Sequence, residues 1–380
     1  MRIAVMHGLT NGGARRRLAE QVAALDAEVI EFTTSCAEPV TARPYVVPVK
    51  LAAPGLPVAL RPPQRVLDLR RLRAAWSTMG AMAQRAGVDV IFANPDSALR
   101  GAISPGKCAV PVIRYCDEPR RIDYESGLRS TLNPRSRALY AGLRRLERDT
   151  DRAAIAEADV VATNSRYTAS RILAAYGRTA EVLPCGAPAM MTPAAVEPRH
   201  LLTVGSLIAG KGHDLVIEAA GRSGLGLPVV LVAHHDDRAE RQRLQEIADR
   251  CGVRLNVRIG VSDDELVQIY RGAFATLYLA RAEPLGLVSI EAQACGSPVI
   301  VSAEGGLPET VAAEQTGIVV LRDAAVAAQA LLRLSRDGLR DRMAVAAAGT
   351  ANGHSWQASA AALIRVAAAL IPTQRTEVAA

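Results

Sequence analysis

The chain is poor in aromatic residues, in closely spaced cysteines and in long apolar runs. Aromatic residues make up 3% of its 380 residues, so platforms on which nucleic-acid bases could stack are scarce. None of the six cysteines forms a pair with two-residue spacing, which indicates reduced, mostly buried thiols and argues against a structural zinc site. No apolar run reaches the roughly 18 residues that a membrane-spanning helix needs.

The N-terminal residues predict a first strand rather than a secretory signal. Met1 to Val5 are apolar apart from Arg2, but Gly8 and Gly12 interrupt the run too early for a signal-peptide core. We therefore expect a cytoplasmic protein. The composition, 49% hydrophobic and 22% charged, is typical of soluble globular proteins, and the length suits two domains of under 200 residues each.

Charge is unevenly distributed between the two halves. Residues 1–190 contain 27 Lys and Arg against 18 Asp and Glu, a net charge of +9. Residues 191–380 contain the remaining 18 basic and 20 acidic residues, a net charge of −2. A basic first half indicates an anionic partner, an anionic membrane face or nucleic acid. Because the basic residues are spread over several predicted helices and aromatics are few, we expect no nucleic acid.

Short apolar runs alternate with helical patterns along the whole chain, which predicts a doubly wound parallel sheet in each half. We place a first domain at 1–190, with a Pro-rich loop to about Pro63 and a linker at 184–198, and a second at 191–355. An amphipathic helix and tail occupy 356–380. The predicted strands are 2–8, 27–32, 88–93, 110–115 and 159–164 in the first half, and 201–205, 228–233, 257–260, 275–279 and 299–302 in the second.

The most informative stretch runs from Glu283 to Pro298. Glu283 follows an apolar strand, Pro284 fits the first turn of a helix from about Leu285 to Cys295, and Gly296 fits its C-terminal cap. The free N–H groups of the first turn, 285–288, can receive an anion that Gly286 allows to approach closely. Glu291 shares the face of Leu287 and can accept hydrogen bonds from neighbouring hydroxyls.

This stretch resembles the nucleotide-sugar motif of family 4 glycosyltransferases, with seven residues between Glu283 and Glu291 and Pro284-Leu285-Gly286-Leu287 inside. The resemblance extends to Gly305-Gly306-Leu307-Pro308-Glu309 downstream, to Val204-Gly205-Ser206 and Lys211-Gly212 upstream, and covers nearly the whole chain. It implies a GT-B fold, two Rossmann-like domains facing each other across a cleft, with the last helix crossing back to the first domain. It also implies retaining transfer from a nucleoside diphosphate sugar to an unidentified hydroxyl acceptor, without a metal or other cofactor.

The resemblance implies roles for individual residues. Lys211 would neutralise the leaving diphosphate, and the backbone at Leu285, Gly286 and Leu287 would bind its phosphates. Glu283 would hold hydroxyls of the transferred sugar and Glu291 those of the ribose. Ser206 stands where the family usually has an arginine, so it offers a hydrogen bond but no charge. A surface lysine in a turn is the alternative for Lys211, and an exposed helix acid is the alternative for Glu291.

The first half contributes two further candidates at the ends of predicted strands. Gly12 and Gly13 form a strand-to-helix turn that suits phosphate contact, or a tight turn needed only for geometry. Asp117 follows the strand ending at Tyr115, where ligands of α/β sheets bind and where the resembled family often has a histidine. It can accept from an acceptor hydroxyl, or it forms a loop ion pair with Arg120 or Arg121.

Several alternatives remain open at this stage. A basic helix from about Gln64 is a solvated face or a surface for the acceptor or membrane; its arginines are Arg65, Arg70, Arg71 and Arg73. A second basic helical region is predicted at 133–157. The run from His234 to Asp237 is a polar loop or a metal site. The whole chain is a transferase, a nucleotide-sugar epimerase or hydrolase, or a nucleotide-binding module without turnover.

Overall fold

The computed structural model describes residues 1–52, 61–124, 138–350 and 354–371. Contacts divide the chain into two compact units. The first comprises Met1–Asn164, Thr168–Leu183 and Ser359–Ala380, and the second comprises Ser165–Tyr167 and Pro184–Ala358. Parts of the predicted Pro-rich loop (53–60), the start of the second basic region (133–137) and the tail (372–380) lie outside the described residues.

The first unit contains a parallel sheet with helices on both faces. Its described strands pair in the order β3-β2-β1-β4-β5-β6-β7, so the sheet grows outward from β1 in both directions. These strands are β1 (Arg2–Gly8), β2 (Glu28–Thr34), β3 (Tyr45–Val47), β4 (Val90–Asp96), β5 (Val112–Tyr115), β6 (Val160–Thr163) and β7 (Glu181–Val182). The described helices are α1 (Gly13–Ala23), α2 (Arg61–Arg85), α3 (Arg121–Tyr124), α4 (Ala141–Ala156), α5 (Arg166–Tyr176) and, near the C-terminal end of the described residues, α12 (Trp356–Leu370).

Alternate residues of β1 enter two separate cores, because successive side chains of a strand point to opposite faces. Ala4 and Met6 pack in the cluster that contains Trp76 of α2. Ile3 and Val5 pack in the cluster that contains Leu18 of α1 and Leu363 of α12. Burial on both faces explains why the strands read as continuous apolar runs rather than as alternating patterns.

The second unit repeats this architecture with the described strand order β10-β9-β8-β11-β12-β13. All of its strand pairs are parallel. The strands are β8 (His200–Val204), β9 (Val229–Ala233), β10 (Leu255–Ile259), β11 (Ala273–Tyr278), β12 (Val299–Ser302) and β13 (Gly317–Val320). The helices are α6 (His213–Ser223), α7 (Arg238–Cys251), α8 (Asp263–Arg271), α9 (Leu287–Ala294), α10 (Ala324–Leu334) and α11 (Leu339–Thr350). The predicted pair of doubly wound parallel sheets is confirmed.

The helix of the Glu283 motif differs from the prediction at both ends. It begins at Leu287 rather than at about Leu285, because Gly286 has a φ of 107° and is its N-cap residue. Pro284 therefore lies in the preceding turn and not in the first turn of the helix. The helix ends at Ala294, and Gly296 follows with a φ of 76°. Among the described residues, no helix is both long and apolar enough to cross a membrane.

Candidate functional site

The turn that carries Glu283 packs against two glycines from the loop after β12. Gly306 N donates to the Glu283 carbonyl over 2.8 Å. A Cβ atom at Gly305 would lie 2.3 Å from the backbone carbonyl oxygen of Glu283, and one at Gly306 would lie 2.2 Å from that of Pro284. No side chain fits at either position, so the glycine pair sets the path of the Glu283 backbone.

The N-terminus of α9 is the candidate anion site. Gly286 permits this start of the helix, since a Cβ there would lie 2.4 Å from Leu307 Cδ2. Leu287 and Val288 occupy the first turn, which contains no acidic residue. The first N–H groups of an α-helix have no intrahelical acceptor, and the helix dipole makes their end partially positive. The turn can therefore bind a phosphate.

Lys211 lies against Glu283, although 71 residues separate them in the chain. Lys211 Nζ donates to Glu283 Oε2 over 2.8 Å and to the Tyr278 hydroxyl over 3.0 Å. The two charged side chains are 22% and 18% exposed, so their attraction is only partly screened by water. The structure thus brings together two residues that the sequence identified separately.

Close contact between two loops produces this juxtaposition. Lys211 ends a short 3₁₀ turn, Ala209–Lys211, that follows β8. Arg281 N donates to the Gly210 carbonyl over 2.8 Å. A Cβ at Gly212, whose φ is 73°, would lie 2.2 Å from the Leu279 oxygen. The loop after β8 is therefore pressed against the end of β11, where Glu283 follows.

Two buried tyrosines, which sequence reasoning missed, support the two glutamates. Tyr278 is 2% exposed, and burial together with the charge of Glu283 raises the pKa of its hydroxyl well above the ordinary value. It therefore remains a neutral partner for Lys211. The Tyr270 hydroxyl donates to Glu291 Oε2 over 2.9 Å. The sequence did contain one indication of Tyr278, since this residue lies at the end of the predicted strand that precedes Glu283.

Glu291 is a buried residue of α9, with 7% of its surface exposed. The interpretation of Glu291 as an exposed helix acid is therefore wrong. A carboxylate buried at this depth needs hydrogen-bond partners, and Tyr270, itself fully buried, supplies one. The orientation of the Glu291 carboxylate is thus defined by the core of the second unit.

His213 fixes the backbone at Ser206 without adding charge. Its Nε2 donates to the Ser206 carbonyl over 3.1 Å, and the Thr203 hydroxyl donates to its Nδ1 over 3.0 Å. Burial lowers the pKa of His213 to about 4, so the imidazole is neutral near pH 7. Ser206 itself is exposed. Within the described chain, the nearby Arg281 side chain is exposed and has no ion-pair partner.

In the first unit, Gly12 and Gly13 form the start of α1. Gly12 is the N-cap residue with a φ of 148°, and both glycines are exposed. A Cβ at either position would meet nothing within 4 Å, so there is open space above this helix N-terminus. Phosphate contact by Gly12 and Gly13 stays a prediction.

Asp117 pairs with a buried arginine of α1. Arg17 Nε lies 3.2 Å from Asp117 Oδ1, and Arg17 is 2% exposed. Arg17 also donates to Asn94 Oδ1 over 2.8 Å and stacks on the Tyr115 ring at 3.8 Å. The ion pair predicted with Arg120 or Arg121 thus has the wrong partner. Arg120 instead pairs with two other carboxylates, Asp123 and Glu147, each at 2.8 Å.

The run from His234 to Asp237 forms the loop before α7. The two histidine rings are edge to face with centroids 4.4 Å apart, and Asp237 accepts from Glu240 N as the N-cap of α7. This contact supports the polar-loop interpretation. In the part of the chain that the structure describes, no three His, Cys, Asp or Glu side chains are grouped to hold a metal.

Comparison with known proteins finds a match to one sequence-family model within the second unit. Residues 192–350 match the family model "Glycosyl transferases group 1". The chain is 36% identical over 178 residues to a D-inositol 3-phosphate glycosyltransferase of Frankia alni, covering 43% of this chain and 44% of that protein. It is 31% identical over 258 residues to the protein of the same name from Acidothermus cellulolyticus, covering 59% and 58%. The matches thus span about half the length of these curated relatives.

Solved structures resemble the chain over nearly its full length. Sucrose-phosphate synthase from Thermosynechococcus elongatus has a TM-score of 0.72 at 21% identity, covering 97% of this chain and 98% of that one. The Anabaena protein HepE in complex with UDP has a TM-score of 0.72 at 16% identity, covering 97% and 100%. HepE has also been solved with UDP-glucose. At these identities the likeness shows the fold, which is GT-B.

Proposed function

We propose that the chain is a glycosyltransferase that transfers a sugar from a nucleoside diphosphate sugar to an acceptor hydroxyl, a proposal supported by the match of residues 192–350 to the model of glycosyl transferases group 1. One observation carries the proposal. The Lys211–Glu283 pair lies at the turn leading into the α9 N-terminus, and the same helix carries the buried Glu291. A cation, an anion-binding turn and two oriented carboxylates match a diphosphate flanked by two sugars.

Each residue receives a role from its chemistry. The diphosphate binds at the N–H groups of Leu287 and Val288 and at the Lys211 ammonium. The Glu283 carboxylate accepts from hydroxyls of the transferred sugar, and the Glu291 carboxylate accepts from the ribose hydroxyls. Leu285 and Gly286 shape the turn, which lets the phosphates approach the backbone closely.

A second cation compensates for the missing charge at Ser206. Lys211 is already paired with Glu283 at 2.8 Å, so the Glu283 carboxylate partly offsets the positive charge that Lys211 presents to a diphosphate. Arg281 is two residues from Glu283, and its backbone N–H is bonded to Gly210 beside Lys211. We assign Arg281 to the diphosphate. Replacing it with alanine should raise the dissociation constant of the donor nucleotide about tenfold, while Arg281→Lys should retain most of the affinity.

We further propose that transfer proceeds with retention and without a metal. The bond between the anomeric carbon and the leaving phosphate oxygen breaks, and the acceptor oxygen bonds to the same face. The acceptor proton moves to that phosphate oxygen. Lys211 and the α9 N-terminus stabilise the charge that develops on the phosphate, a task that other enzymes give to a divalent ion. Turnover should be unchanged by a chelator, and proton NMR of the product should show the anomeric configuration of the donor.

The comparisons suggest which substrates to test first. HepE was solved with UDP and UDP-glucose, so we propose a uridine diphosphate sugar as donor. The names of the relatives and the +9 charge of residues 1–190 support an anionic acceptor such as a phosphorylated polyol. A lipid-linked acceptor with the same charge, reached by peripheral contact of a cytoplasmic protein with an anionic membrane, is the alternative.

A thermal-shift screen followed by turnover tests the proposed function. UDP, GDP, ADP and dTDP and their common sugar conjugates are compared with and without chelator, since a ligand of the native state raises the melting temperature. Acceptor-dependent nucleotide release from the stabilising conjugate supports the transferase. Release without acceptor would indicate an epimerase or hydrolase. Binding without release under any acceptor would indicate a binding module, and no shift by any nucleotide would refute the donor site.

A further inference from the structure

The first unit contains a cavity of about 790 Å³ that the proposed reaction does not use. Its volume is in the range of small-molecule sites. Val110 and Val112, at the start of β5, and Asp159, just before β6, line it. The cavity therefore lies at the amino edge of the sheet, whereas Asp117 follows β5 at the carboxyl edge.

One wall of the cavity is formed by α2 and is basic. Arg70 and Arg73 of α2 and Lys107 of the loop before β5 line it, together with the hydroxyls of Ser77 and Ser104. In the described part of the chain, these three cations form no ion pair with an acid. Two neighbouring arginines of the same helix do form such pairs, Arg65 with Glu147 and Arg71 with Asp68. Arg70 and Arg73 therefore line the cavity without the carboxylate partner that Arg65 and Arg71 each have.

A fourth cation is buried beneath the cavity floor. Arg114 of β5 is fully buried and donates to the carbonyl of Ile103, which lines the cavity, over 2.6 Å. Arg114 also donates to the Asn94 carbonyl over 3.4 Å, and its Nε has no hydrogen-bond partner among the described residues. Burial lowers the pKa of Arg114 to about 10, so the guanidinium remains charged near pH 7. Arg114 thus places a buried positive charge beside the cavity; its hydrogen bonds go to carbonyl groups, and the carboxylates of Asp151 and Glu157 act on it only through their charge.

The wall is held in shape by close backbone contacts. A Cβ at Gly80 of α2 would lie 2.0 Å from the Pro105 oxygen, and one at Gly106 would lie 2.5 Å from Ser77 Oγ. The loop bearing Ser104 and Lys107 is therefore packed directly on α2. The lining also contains two acids, Glu157 and Asp159, at the end of α4 and before β6, and Asp159 accepts from Val112 N over 2.7 Å.

We propose that this cavity is a second ligand site, which binds a phosphate group on its basic wall of Arg70, Arg73 and Lys107. Arginine and lysine are the residues that recognise phosphate, and the hydroxyls of Ser77 and Ser104 can donate to the same oxygens. The phosphate belongs to a soluble phosphate ester or to a lipid headgroup, which share this chemistry. Because the site lies at the sheet edge opposite Asp117, its ligand acts as an effector or anchor and not as a substrate.

Cys108 provides a readout inside the cavity. It lines the cavity and is a half-buried free thiol, and burial raises the pKa of that thiol. Alkylation by iodoacetamide at pH 8.5, followed by peptide mass spectrometry, reports its access. Cys251 is equally half-buried but belongs to the second unit, so it serves as an internal control. The probes are inorganic phosphate, glycerol 3-phosphate, and vesicles of phosphatidylcholine with or without phosphatidylglycerol.

We expect a phosphate probe to slow alkylation of Cys108 at least fivefold, saturably, with Cys251 unchanged. The Arg70→Ala/Arg73→Ala double variant should need about a hundredfold higher probe concentration for the same protection. Each cation removed should weaken binding about tenfold, which corresponds to about 1.4 kcal/mol of binding free energy. Arg85→Ala, which removes an exposed arginine of α2 that does not line the cavity, should behave as the unchanged protein. Protection by the soluble probes identifies a free phosphate ester, and protection by the phosphatidylglycerol vesicles alone identifies a headgroup. No protection by any probe, or equal protection in the double variant, would overturn the proposal.

Discussion

Removing the charge of Lys211 is the sharpest test of the donor site. The change is Lys211→Met, which keeps the aliphatic stem and deletes the ammonium. In the unchanged protein, Lys211 Nζ lies within 3.0 Å of both the Glu283 carboxylate and the Tyr278 hydroxyl. In the variant, the Glu283 carboxylate faces the diphosphate without its partner, so stabilisation of the leaving group is lost and a repulsion is added.

The magnitude follows from the burial of the pair. Two unit charges about 4 Å apart interact by about 4 kcal/mol at an effective dielectric constant of about 20. Because the side chains are 22% and 18% exposed and Lys211 is shared with Glu283, we expect about 3 kcal/mol at the transition state. This corresponds to a fall in kcat of roughly a hundredfold, with the KM of the donor changed less than threefold.

Steady-state kinetics with the donor identified by thermal shift provides the assay. Glu283→Gln and the double variant complete a cycle that separates the lost cation from the unpaired carboxylate. The double variant should recover part of the activity lost in Lys211→Met. The free energy of unfolding, measured in urea, should differ between Lys211→Met and the unchanged protein by no more than about 1 kcal/mol, as is usual for a partly exposed ion pair. A donor KM raised a hundredfold with kcat unchanged would refute the leaving-group role.

Three further predictions concern the surroundings of the site. Glu291→Gln should weaken donor binding about tenfold in calorimetry with the melting temperature nearly unchanged; unaltered affinity would contradict the ribose role. Gly306→Ala should destabilise the protein by about 1–3 kcal/mol in urea, because its Cβ would lie 2.2 Å from the Pro284 oxygen, whereas Gly142→Ala, with nothing within 4 Å, should not. The pKa of His213 is near 6.5 in the unfolded protein and about 4 in the folded protein. The free energy of unfolding should therefore be highest above pH 6.5 and fall by about 3 kcal/mol as the pH decreases toward 4. A His213→Gln variant that kept the full slope would show that another group causes it.

The succession of strands and helices along the chain was predictable from the sequence, because a parallel strand that is buried on both faces appears as a short continuous run of apolar residues. Runs such as 228–233 and 299–302 are apolar on both faces, and short helices separate them. The structure has β9 at Val229–Ala233 and β12 at Val299–Ser302. Short edge strands such as Tyr45–Val47 lack this signal, since only one of their sides is paired and their side chains are largely exposed.

Glu283, Gly286 and Glu291 were likewise singled out from the sequence, because they lie close together in one motif that resembles that of family 4 glycosyltransferases. The contacts that these residues make were not, although Lys211 itself was a sequence candidate. Tyr270, Tyr278 and Lys211 reach these residues through packing of separate strands and loops, and spacing along the chain carries no information about such contacts. Asp117 pairs with Arg17 rather than with its sequence neighbours for the same reason.

The sequence by itself thus determined the class of fold and the motif on which the proposed donor site rests, since both depend on residues close together in the chain. Only the tertiary structure decided which side chains surround the candidate site and which arginines of α2 line the cavity. Arg65 and Arg70 are alike in the sequence, yet one pairs with Glu147 and the other lines a cavity. That difference arises from where α4 and the loop before β5 pack against α2, which long-range burial sets and local pattern does not.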